Sequence, residues 1–292
     1  MSFGVSALKF FNKFFKLPPH PFNMRNEGGK TYAEWQFENG ERTIEFYKEF
    51  VPSEEIFKDK TVLDVGCGAG GKSLYYVTLG ATKVVGIDIV PYYKEQSDEL
   101  VSKLGIDGFE FRCEDAASLS FPDDTFDTVI MNDAMEHVAE PEKVLEELKR
   151  VLKPGGRIFV NFPPYGHPYG AHLSDAIGIP WVQSFYSEKA MIAAYKDLVK
   201  DKPDGEERIN FRISKDENGN EYFSYINKMT IKRFKKIRDG SGFKIAYYRE
   251  VPLRNVFKPL AHGLTKEHFV RMVVCVFEKI PGNNEQKVSS SD

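Results

Sequence analysis

The 292-residue sequence contains few cysteines, which are Cys67, Cys113 and Cys275. They are far apart in the chain, and none belongs to a CxxC pair. This spacing argues against a disulfide framework and against a structural zinc site. We therefore expect a protein of a reducing compartment, in the cytoplasm, that holds no metal ion.

The sequence also lacks a strong excess of charge and a long hydrophobic run. Its net charge is −3 and its pI is about 6.1, so no overall positive field attracts nucleic acid. These values do not exclude a local basic patch. No apolar run approaches the roughly 18–20 residues that span a bilayer. The 41% of hydrophobic residues, including 24 Phe, is typical of a soluble globular protein with a substantial core.

Residues 6–17 (SALKFFNKFFKL) have an amphipathic pattern that predicts a helix. Seven apolar residues fall on one face, and Lys9, Lys13 and Lys16 fall on the other. A weak contact with a membrane surface is one interpretation of this pattern. The favoured interpretation is a helix packed on its own domain or across a homodimer interface, so that the protein is a monomer or a homodimer.

Strand patterns alternate with helix patterns from residue 61 to residue 162. Short apolar runs that end in glycine or aspartate indicate buried strands, and longer periodic segments indicate helices. This alternation predicts an α/β fold with a mostly parallel sheet and helices on both faces. The predicted strands are 61–65, 83–87, 109–113, 126–131 and 157–162, and the predicted helices are 72–79, 92–104 and 141–152.

The alternation stops after Phe162 and resumes near residue 243. Two further strands, 243–248 and 270–277, complete a predicted seven-stranded sheet. The intervening segment contains a predicted helix at 187–199, a hairpin with arms 207–213 and 221–226 around Asn218-Gly219, and a basic helix at 230–238. The predicted organisation is an N-terminal helical arm or lid (1–55), a core (56–162), an inserted substrate cap between strands 5 and 6 (163–240), the last two strands (241–280) and a disordered tail (281–292).

A glycine-rich segment, DVGCGAGG at residues 64–71, follows the first predicted strand and opens a helix. Its glycines allow a tight turn and a close approach of the backbone to a ligand. Gly66, Gly68 and Gly71 also satisfy GxGxxG, which nicotinamide dinucleotide enzymes share. Asp64 would repel a pyrophosphate, but it suits a ligand that carries an ammonium group.

Two further acidic positions lie at the ends of later strands. Asp88 closes the second strand, where a carboxylate accepts hydrogen bonds from ribose hydroxyls. Glu114-Asp115-Ala116 follows the third strand, where an acid can accept a hydrogen bond from an adenine amino group. Asp88 as a helix cap and Asp115 as a turn residue are the alternative roles.

These segments resemble, in unbroken order, the motifs of class I S-adenosylmethionine (SAM)-dependent methyltransferases of the small-molecule group. The similar segments are DVGCGAG (64–70), GID (86–88), 114–138 and 141–160. The resemblance covers about residues 60–162. It implies a Rossmann-like fold, SAM as cofactor, and methylation of an oxygen, nitrogen or carbon of a small-molecule acceptor, with no clear role for nucleic acid.

The resemblance also implies roles for individual residues. Tyr32 and Trp35 lie where the family often closes the cofactor pocket with aromatic side chains, although core packing is an equal alternative. The remaining cofactor residues are Asp64, Gly66, Cys67, Gly68 and Gly70 for the methionyl and ribose parts, Asp88 and Ile89 for the ribose and adenine, Asp115 and Ala116 for the adenine, and Asn132 through its backbone.

Candidate general bases are histidines that follow the fourth and fifth strands, because open α/β sheets bind ligands at the carboxyl ends of their strands. They are His137, His167 and His172. A metal set of His167, His172 and Asp175, completed by Glu136 or Asp133, is an alternative with no standard ligand spacing.

Other features of the segment after the fifth strand leave functional and structural readings open. The aromatic residues Trp181, Phe185 and Tyr186 form either an acceptor wall or ordinary core. The basic run 228–244 has two interpretations, a phosphate-binding surface and a solvated helix face. The solvated helix face is favoured. Three rival functions remain at this point: a nicotinamide-dependent oxidoreductase, an RNA or protein methyltransferase, and a non-enzymatic SAM-binding protein.

Overall fold

The computed structural model describes residues 3–18, 20, 22–23 and 29–281. Of the predicted tail, residues 282–292 lie outside the described residues. The chain divides into two compact units. The insert unit holds the described residues of Met1–Gly29 together with Pro163–Ile231 and Val251–Met272, and the sheet unit holds Lys30–Phe162, Lys232–Glu250 and the described residues from Val273 onward.

The strands of the described chain form a seven-stranded sheet of order β3-β2-β1-β4-β5-β9-β8 and a separate pair, β6-β7. Neighbours from β3 to β5 are parallel, and β9 is antiparallel to β5. The predicted Rossmann-like α/β fold is therefore confirmed. The strands are β1 (Thr61–Val65), β2 (Lys83–Asp88), β3 (Phe109–Cys113), β4 (Phe126–Asn132), β5 (Leu152–Phe162), β6 (Ile213–Lys215), β7 (Glu221–Phe223), β8 (Lys244–Pro252) and β9 (Val270–Glu278).

The helices surround these strands in the chain order that the sequence patterns predict for the core. They are α1 (Phe3–Asn12), α2 (Tyr32–Glu38), α3 (Gly40–Ile44), α4 (Ser53–Phe57), α5 (Gly71–Thr78), α6 (Tyr93–Leu104), α7 (Pro141–Val151), α8 (Val182–Phe185), α9 (Glu188–Val199), α10 (Gly205–Arg212), α11 (Ile231–Gly240) and α12 (Lys266–Phe269). Short 3₁₀ turns lie at Glu45–Tyr47, Asn255–Leu260 and Gly263–Thr265.

The centre of the sheet determines where a ligand binds. Val62, Leu63 and Val65 of β1 are buried, as expected for a strand covered on both faces. The chain runs from β1 outward to β2 and β3 on one side, and later to β4 and β5 on the other. The carboxyl ends of β1 and β4 are therefore the switch point of the topology, where open α/β sheets bind their ligands.

Helix α2 is held against α5 beside this switch point. Its N-terminus has a capping box, in which the Thr31 hydroxyl accepts a hydrogen bond from the Glu34 N–H (3.2 Å) and the Glu34 carboxylate accepts one from the Thr31 N–H (2.8 Å). Ala33 and Gln36 are the buried residues of α2. A Cβ on Gly71, the first residue of α5, would lie 2.0 Å from the Ala33 carbonyl oxygen.

Replacing Gly71 with alanine should therefore push α2 away from α5. We expect the free energy of unfolding to fall by about 2–3 kcal/mol, the cost of overpacking against a backbone that cannot yield. Chemical denaturation of the two proteins measures the difference. Gly240→Ala is the matched control, because a Cβ there meets nothing within 4 Å. Equal stabilities of the two variants would contradict the close helix packing.

The predicted hairpin of the insert unit is partly wrong. Its arms are only β6 and β7, which pair antiparallel, whereas most of the segment predicted as the first arm is helix α10. Glu206 and Glu207 lie in the first turn of α10 and Arg212 in its last, which suits the helix dipole. Arg208 and Arg212, four residues apart, therefore lie on one face of a helix and both point to Asp175.

The N-terminal helix is shorter than predicted and buries a different face. Helix α1 ends at Asn12, and the predicted apolar stripe is partly wrong. Leu8 of the stripe is buried, but so is Val5 outside it, whereas Phe10 of the stripe is exposed. The Asn12 side chain donates to the Ala176 carbonyl oxygen (2.8 Å) and accepts from the Gly178 N–H (2.8 Å). No helix among the described residues has the length and apolar character needed to cross a membrane.

The insert unit contains a buried ion-pair network. The Asp175 carboxylate pairs with Arg208 (3.1 Å) and with Arg212 (3.0 Å), and the three side chains are at most 1% exposed. Tyr195 donates its hydroxyl to Asp175 (2.8 Å) and accepts from Arg212 Nε (2.9 Å). Asp204 pairs with Arg208 at 2.8 Å. Two carboxylates thus match two guanidinium groups, which allows their burial.

His20 completes this network as a neutral side chain. Burial and the neighbouring Arg212 lower the pKa of His20 to about 4. Its Nε2 lies 3.2 Å from Arg212 Nη2. Because Asp175 is fully committed to two arginines, it is not available as the third ligand of the alternative metal set.

Candidate functional site

The glycine-rich segment forms a tight loop between β1 and α5. Gly66, Gly68 and Gly70 have φ angles of 70°, 57° and 77°, which favour glycine. A Cβ on Gly68 would lie 2.8 Å from Gln36 Nε2 and 3.2 Å from a ring carbon of Tyr32. These positions therefore require glycine, and of the three glycines Gly66 is exposed whereas Gly68 and Gly70 are buried.

Asp88, at the end of β2, is bound to this loop. One carboxylate oxygen accepts a hydrogen bond from the Gly68 N–H (2.9 Å), and the other accepts one from the Val90 N–H (3.0 Å). Burial raises the pKa of Asp88, and these backbone N–H groups partly oppose the rise. The next residue, Ile89, exposes an apolar side chain. An acceptor for hydroxyl groups thus lies beside an apolar surface.

Asp64 is a buried carboxyl beneath the loop. It accepts a hydrogen bond from the Ser73 hydroxyl at 2.6 Å. Burial raises its pKa from an ordinary value of 3.8 to about 6, although the Ser73 hydrogen bond acts in the opposite direction. An ionised Asp64 at neutral pH is therefore costly unless a cation approaches it.

The raised pKa of Asp64 predicts a pH-dependent stability. Between pH 3.8 and about pH 6 the folded protein binds more protons at this site than the unfolded chain, so the free energy of unfolding falls as pH rises through this window. Asp64→Asn removes the cost of ionisation and should stabilise the protein by about 2 kcal/mol at pH 7. Urea denaturation at pH 7 and pH 4 tests this. The wild type at pH 4 is the internal control, because the higher stability of Asp64→Asn should vanish at that pH. A stability gain that does not change with pH would refute the raised pKa of Asp64.

Helix α2 supplies three side chains beside the loop. Gln36 Nε2 donates to the Cys67 carbonyl oxygen (3.2 Å), and Gln36 Oε1 accepts from the Gly71 N–H (3.4 Å). The Tyr32 ring is stacked on Trp35, with centroids 6.2 Å apart. Sequence reasoning named Tyr32 and Trp35 but missed Gln36. Its polar side chain, four residues after Tyr32 on the same helix face, is the signal that would have identified it.

The residues predicted to meet the adenine lie in a turn after β3. Asp115 Oδ1 accepts a hydrogen bond from the Ala117 N–H (2.9 Å), and the Asp115 carbonyl accepts one from the Ser118 N–H (3.0 Å). Ala116, between them, is buried. This Asx-type turn matches the alternative role of Asp115, and it leaves the second carboxylate oxygen of Asp115 for other contacts.

Asn132, predicted to contact the cofactor through its backbone, has a side chain buried in a polar network. Its Oδ1 accepts from the Tyr47 hydroxyl (2.5 Å) and from Asn161 Nδ2 (2.6 Å), while its Nδ2 donates to the Tyr76 hydroxyl (3.3 Å). Asp133 follows with a φ of 52° and donates its N–H to the Asn161 carbonyl oxygen (2.9 Å). The network fixes the ends of β4 and β5, and Tyr47 and Asn161 are residues that sequence reasoning missed.

His137 belongs to the same unit as the loop. Its N–H donates to the Ala134 carbonyl oxygen (2.9 Å), and its imidazole Nε2 lies 3.8 Å from a Glu136 carboxyl oxygen. Burial, together with the nearby Asp133, raises the pKa of Glu136 well above its usual range. Burial thus disfavours an ionised Glu136 beside the His137 imidazole.

The other two candidate histidines belong to the insert unit. Burial lowers the pKa of His167 to about 4. His167 Nδ1 accepts a hydrogen bond from the Tyr169 N–H (3.2 Å), so the neutral ring carries its proton on Nε2. His172 has a φ of 52°, and its carbonyl accepts a hydrogen bond from Arg212. His167 is thus a neutral hydrogen-bond donor rather than a strong base.

The aromatic residues of the proposed acceptor wall have separate environments within the insert unit. Trp181 donates its indole N–H to the His268 carbonyl oxygen (3.1 Å) and contacts the Phe269 ring. Phe185 is exposed, and together with Tyr186 it lines a groove beside α1. Trp181 is therefore a packing residue with a satisfied N–H group.

Ion pairs with acidic residues of the same chain neutralise part of the positive charge of the basic run 228–244. Lys235 pairs with Glu250 and Lys244 with Glu278, both at 2.7 Å. Lys228 pairs with Glu188 at 2.7 Å. These ion pairs favour the structural interpretation of the run over a phosphate-binding surface.

A methyltransferase domain family matches residues 63–160. A probable chloroplastic tocopherol O-methyltransferase of Oryza sativa subsp. japonica is 36% identical over 111 residues, which cover 38% of this chain and 31% of that protein. A sterol 4-C-methyltransferase of Caenorhabditis elegans is 35% identical over 107 residues (36% and 32%). Phosphoethanolamine N-methyltransferase 3 of Arabidopsis thaliana is 32% identical over 118 residues (40% and 24%). The similarity thus spans a third or less of these relatives.

Solved structures share the fold at low sequence identity. The [4+2]-cyclase SpnF has a TM-score of 0.54 at 18% identity, over 87% of this chain and 86% of that one. A SAM-dependent methyltransferase from Aquifex aeolicus has a TM-score of 0.50 at 19% identity, over 90% of this chain and all of that one. These similarities establish the fold and leave the reaction to be argued from the site.

Proposed function

We propose that this chain, whose residues 63–160 form a class I SAM-dependent methyltransferase domain, transfers the methyl group of SAM to an oxygen, nitrogen or carbon of a small-molecule acceptor. The observation that carries the proposal is the glycine-rich loop at the switch point with a carboxyl on each side, Asp64 and Asp88. A buried Asp64 disfavours the pyrophosphate of a nicotinamide dinucleotide.

The residues of the sheet unit fit the parts of SAM. Asp64 would hold the ammonium group of the methionyl part, which offsets the cost of ionising a buried carboxyl. Asp88 would accept hydrogen bonds from the ribose hydroxyls, and Ile89 would cover the adenine. Asp115 would contact the adenine amino group through its second oxygen, and Tyr32 would close the pocket beside Gly68.

The protein contributes position rather than covalent chemistry. SAM supplies a methyl group that its sulfonium makes electrophilic, and the chain must align an acceptor with it and exclude water. The Asn132 network fixes the ends of β4 and β5 against displacement, because the Asn132 side chain is hydrogen-bonded to Tyr47, Tyr76 and Asn161. Such rigidity preserves alignment during transfer.

We propose His137 as the residue that accepts a proton from the acceptor. It lies in the same unit as the cofactor loop, and its neighbour Glu136 is kept neutral by burial. His167 is less suited, because its pKa of about 4 makes it a weak base. His137→Gln should lower turnover while SAM affinity stays unchanged. An unaltered pH–rate profile in this variant would exclude His137 as the base.

The acceptor and the cellular setting are also proposals. Relatives named for tocopherol, sterol and phosphoethanolamine methylation act on oxygen, carbon and nitrogen, so they support a small-molecule acceptor without selecting its atom. The three free cysteines, of which Cys67 and Cys275 are buried, support a cytoplasmic protein. The internal ion pairs of the basic run count against RNA as acceptor.

Calorimetric titration with S-adenosylhomocysteine, with NADH as the control ligand, tests the cofactor. Saturable binding of S-adenosylhomocysteine alone is the expected result. Asp64→Asn should weaken this binding while it stabilises the free protein, because the ammonium group loses its counter-charge. Binding of NADH, or of neither ligand, would overturn the proposal. A screen of acceptors with methyl-labelled SAM then separates an enzyme from a protein that only binds the cofactor.

A further inference from the structure

Helix α1 is fixed to the insert unit by one face. Val5 and Leu8 lie in the buried apolar cluster of that unit, and Lys9 pairs with Asp197 of α9. The Asn12 side chain holds the loop at Ala176–Gly178 through two hydrogen bonds, as described above. The orientation of α1 is therefore determined, and so is the identity of the residues that it turns outward.

The outward residues form a large aromatic surface, which we call the aromatic patch. Single exposed apolar residues are ordinary, but a contiguous cluster of large ones indicates a binding surface. Phe10 contacts both Phe11 and Phe14, with ring centroids 5.5 Å apart in each pair. The members and their exposed fractions are Phe3 91%, Phe10 56%, Phe11 51%, Phe14 72%, Phe15 42%, Leu17 40% and Phe185 73%.

An apolar groove opens within the aromatic patch. Its volume is about 580 Å³, and Phe3, Phe11, Phe15 and Phe185 line it together with Ile179. A groove of this character suits a hydrocarbon chain, because almost no polar group is available to bind a polar ligand.

The segment of chain that carries most of the aromatic patch has charges of one sign. Residues 3–18 contain three lysines and no acidic residue, although the whole chain has a net charge of −3. Lys9 is used in the pair with Asp197. Lys13 and Lys16 are exposed, and neither forms an ion pair with any other residue that the structure describes. Positive charges thus lie among the exposed phenylalanines.

We propose that the aromatic patch docks the protein on the surface of an anionic phospholipid bilayer. The phenylalanines enter the boundary between headgroups and acyl chains, Lys13 and Lys16 approach the lipid phosphates, and an acyl chain occupies the groove. A second copy of this chain fits less well, because a two-fold interface would bring the lysines of both copies together. The proposal does not depend on methyl transfer.

Co-sedimentation of the full chain with lipid vesicles tests the proposal. The vesicles consist of equal parts phosphatidylcholine and phosphatidylglycerol, and phosphatidylcholine alone is the comparison. We expect binding to the anionic vesicles, lowered about tenfold or more by Phe10→Ser with Phe14→Ser. Lys13→Gln with Lys16→Gln should lower it by about fivefold per lysine, and salt should lower wild-type binding.

The matched control is Leu264→Ser, which removes an even more exposed apolar side chain outside the aromatic patch. It should bind vesicles like the wild type. Because all substituted side chains are exposed, we expect each variant to fold, and thermal unfolding checks this. Equal binding to both vesicle types, no binding, or a dimer that the phenylalanine substitutions dissociate would each overturn the proposal.

Discussion

Asp88→Ala should lower the affinity for S-adenosylhomocysteine by about 100-fold or more, since hydrogen bonds to a charged group contribute roughly 1.5–3 kcal/mol each and a ribose offers two hydroxyls. The substitution also removes the acceptor of the Gly68 N–H, in the glycine-rich loop that we propose to hold the cofactor. Both effects act in the same direction, on binding rather than on the remainder of the fold.

Calorimetry with S-adenosylhomocysteine measures this loss, and thermal unfolding monitors folding. Asp88→Asn should give an intermediate affinity, because an amide oxygen can still accept from Gly68 but carries no charge. Asp98→Ala is the control, since among the residues that the structure describes Asp98 forms only an exposed pair with Lys94 of α6. If Asp88→Ala binds like this control, then Asp88 is only a helix-capping residue and the proposed ribose contact is wrong.

The sheet and the glycine loop could be predicted from local sequence. Buried parallel strands have continuous apolar runs, and the run Thr61–Val65 followed by glycines is such a pattern. The helices between them end at residues that terminate helices, such as Gly105 with its φ of 61° after α6. Each of these signals is complete within a few consecutive residues.

The supporting residues of the site could not be predicted in this way. Tyr47 and Asn161 are 114 residues apart in sequence, yet their side chains meet at 3.0 Å. Gln36 and Cys67 are separated by 31 residues. Such contacts depend on the packing of helices against the sheet. The spacing of Gln36 from Tyr32 marks its helix face, but nothing in the local sequence identifies the distant partner of any of these side chains.

The insert unit was predicted least well, because its organisation depends on buried charge rather than on apolar periodicity. Arginine is normally a surface residue. The spacing of Arg208 and Arg212 in the sequence therefore does not indicate that they lie on a buried helix face. In α1, ten residues include apolar side chains on every side, and tertiary contacts decide that Val5 and Leu8 are buried while Phe10 is exposed.

The similarity of the [4+2]-cyclase shows why the fold alone does not fix the reaction. In our proposal the glycine-rich loop, Asp64 and Asp88 hold the cofactor, whereas His137 acts on the acceptor. Binding of S-adenosylhomocysteine and turnover of a labelled methyl group are for this reason separate experiments. We expect His137→Gln to lower the turnover and to leave the binding unchanged.

Asp175→Asn should destabilise the insert unit by about 3–5 kcal/mol, because it leaves the buried guanidinium groups of Arg208 and Arg212 with too little negative charge. Asparagine keeps the shape of the aspartate side chain and an acceptor for the Tyr195 hydroxyl. The loss of stability therefore reports the missing charge rather than a change in packing. The chain has two tryptophans, Trp35 in the sheet unit and Trp181 in the insert unit. In a Trp35→Phe background, fluorescence during urea denaturation therefore follows the insert unit.

Two further variants make the Asp175 result interpretable. Asp98→Asn breaks an exposed ion pair and should cost less than about 1 kcal/mol. Adding Arg212→Met to Asp175→Asn removes one of the unbalanced charges and should recover part of the stability, which a loss of shape or packing would not allow. A double variant less stable than Asp175→Asn would show that Arg212 stabilises the unit through contacts other than its pair with Asp175, such as those with Tyr195 and His20.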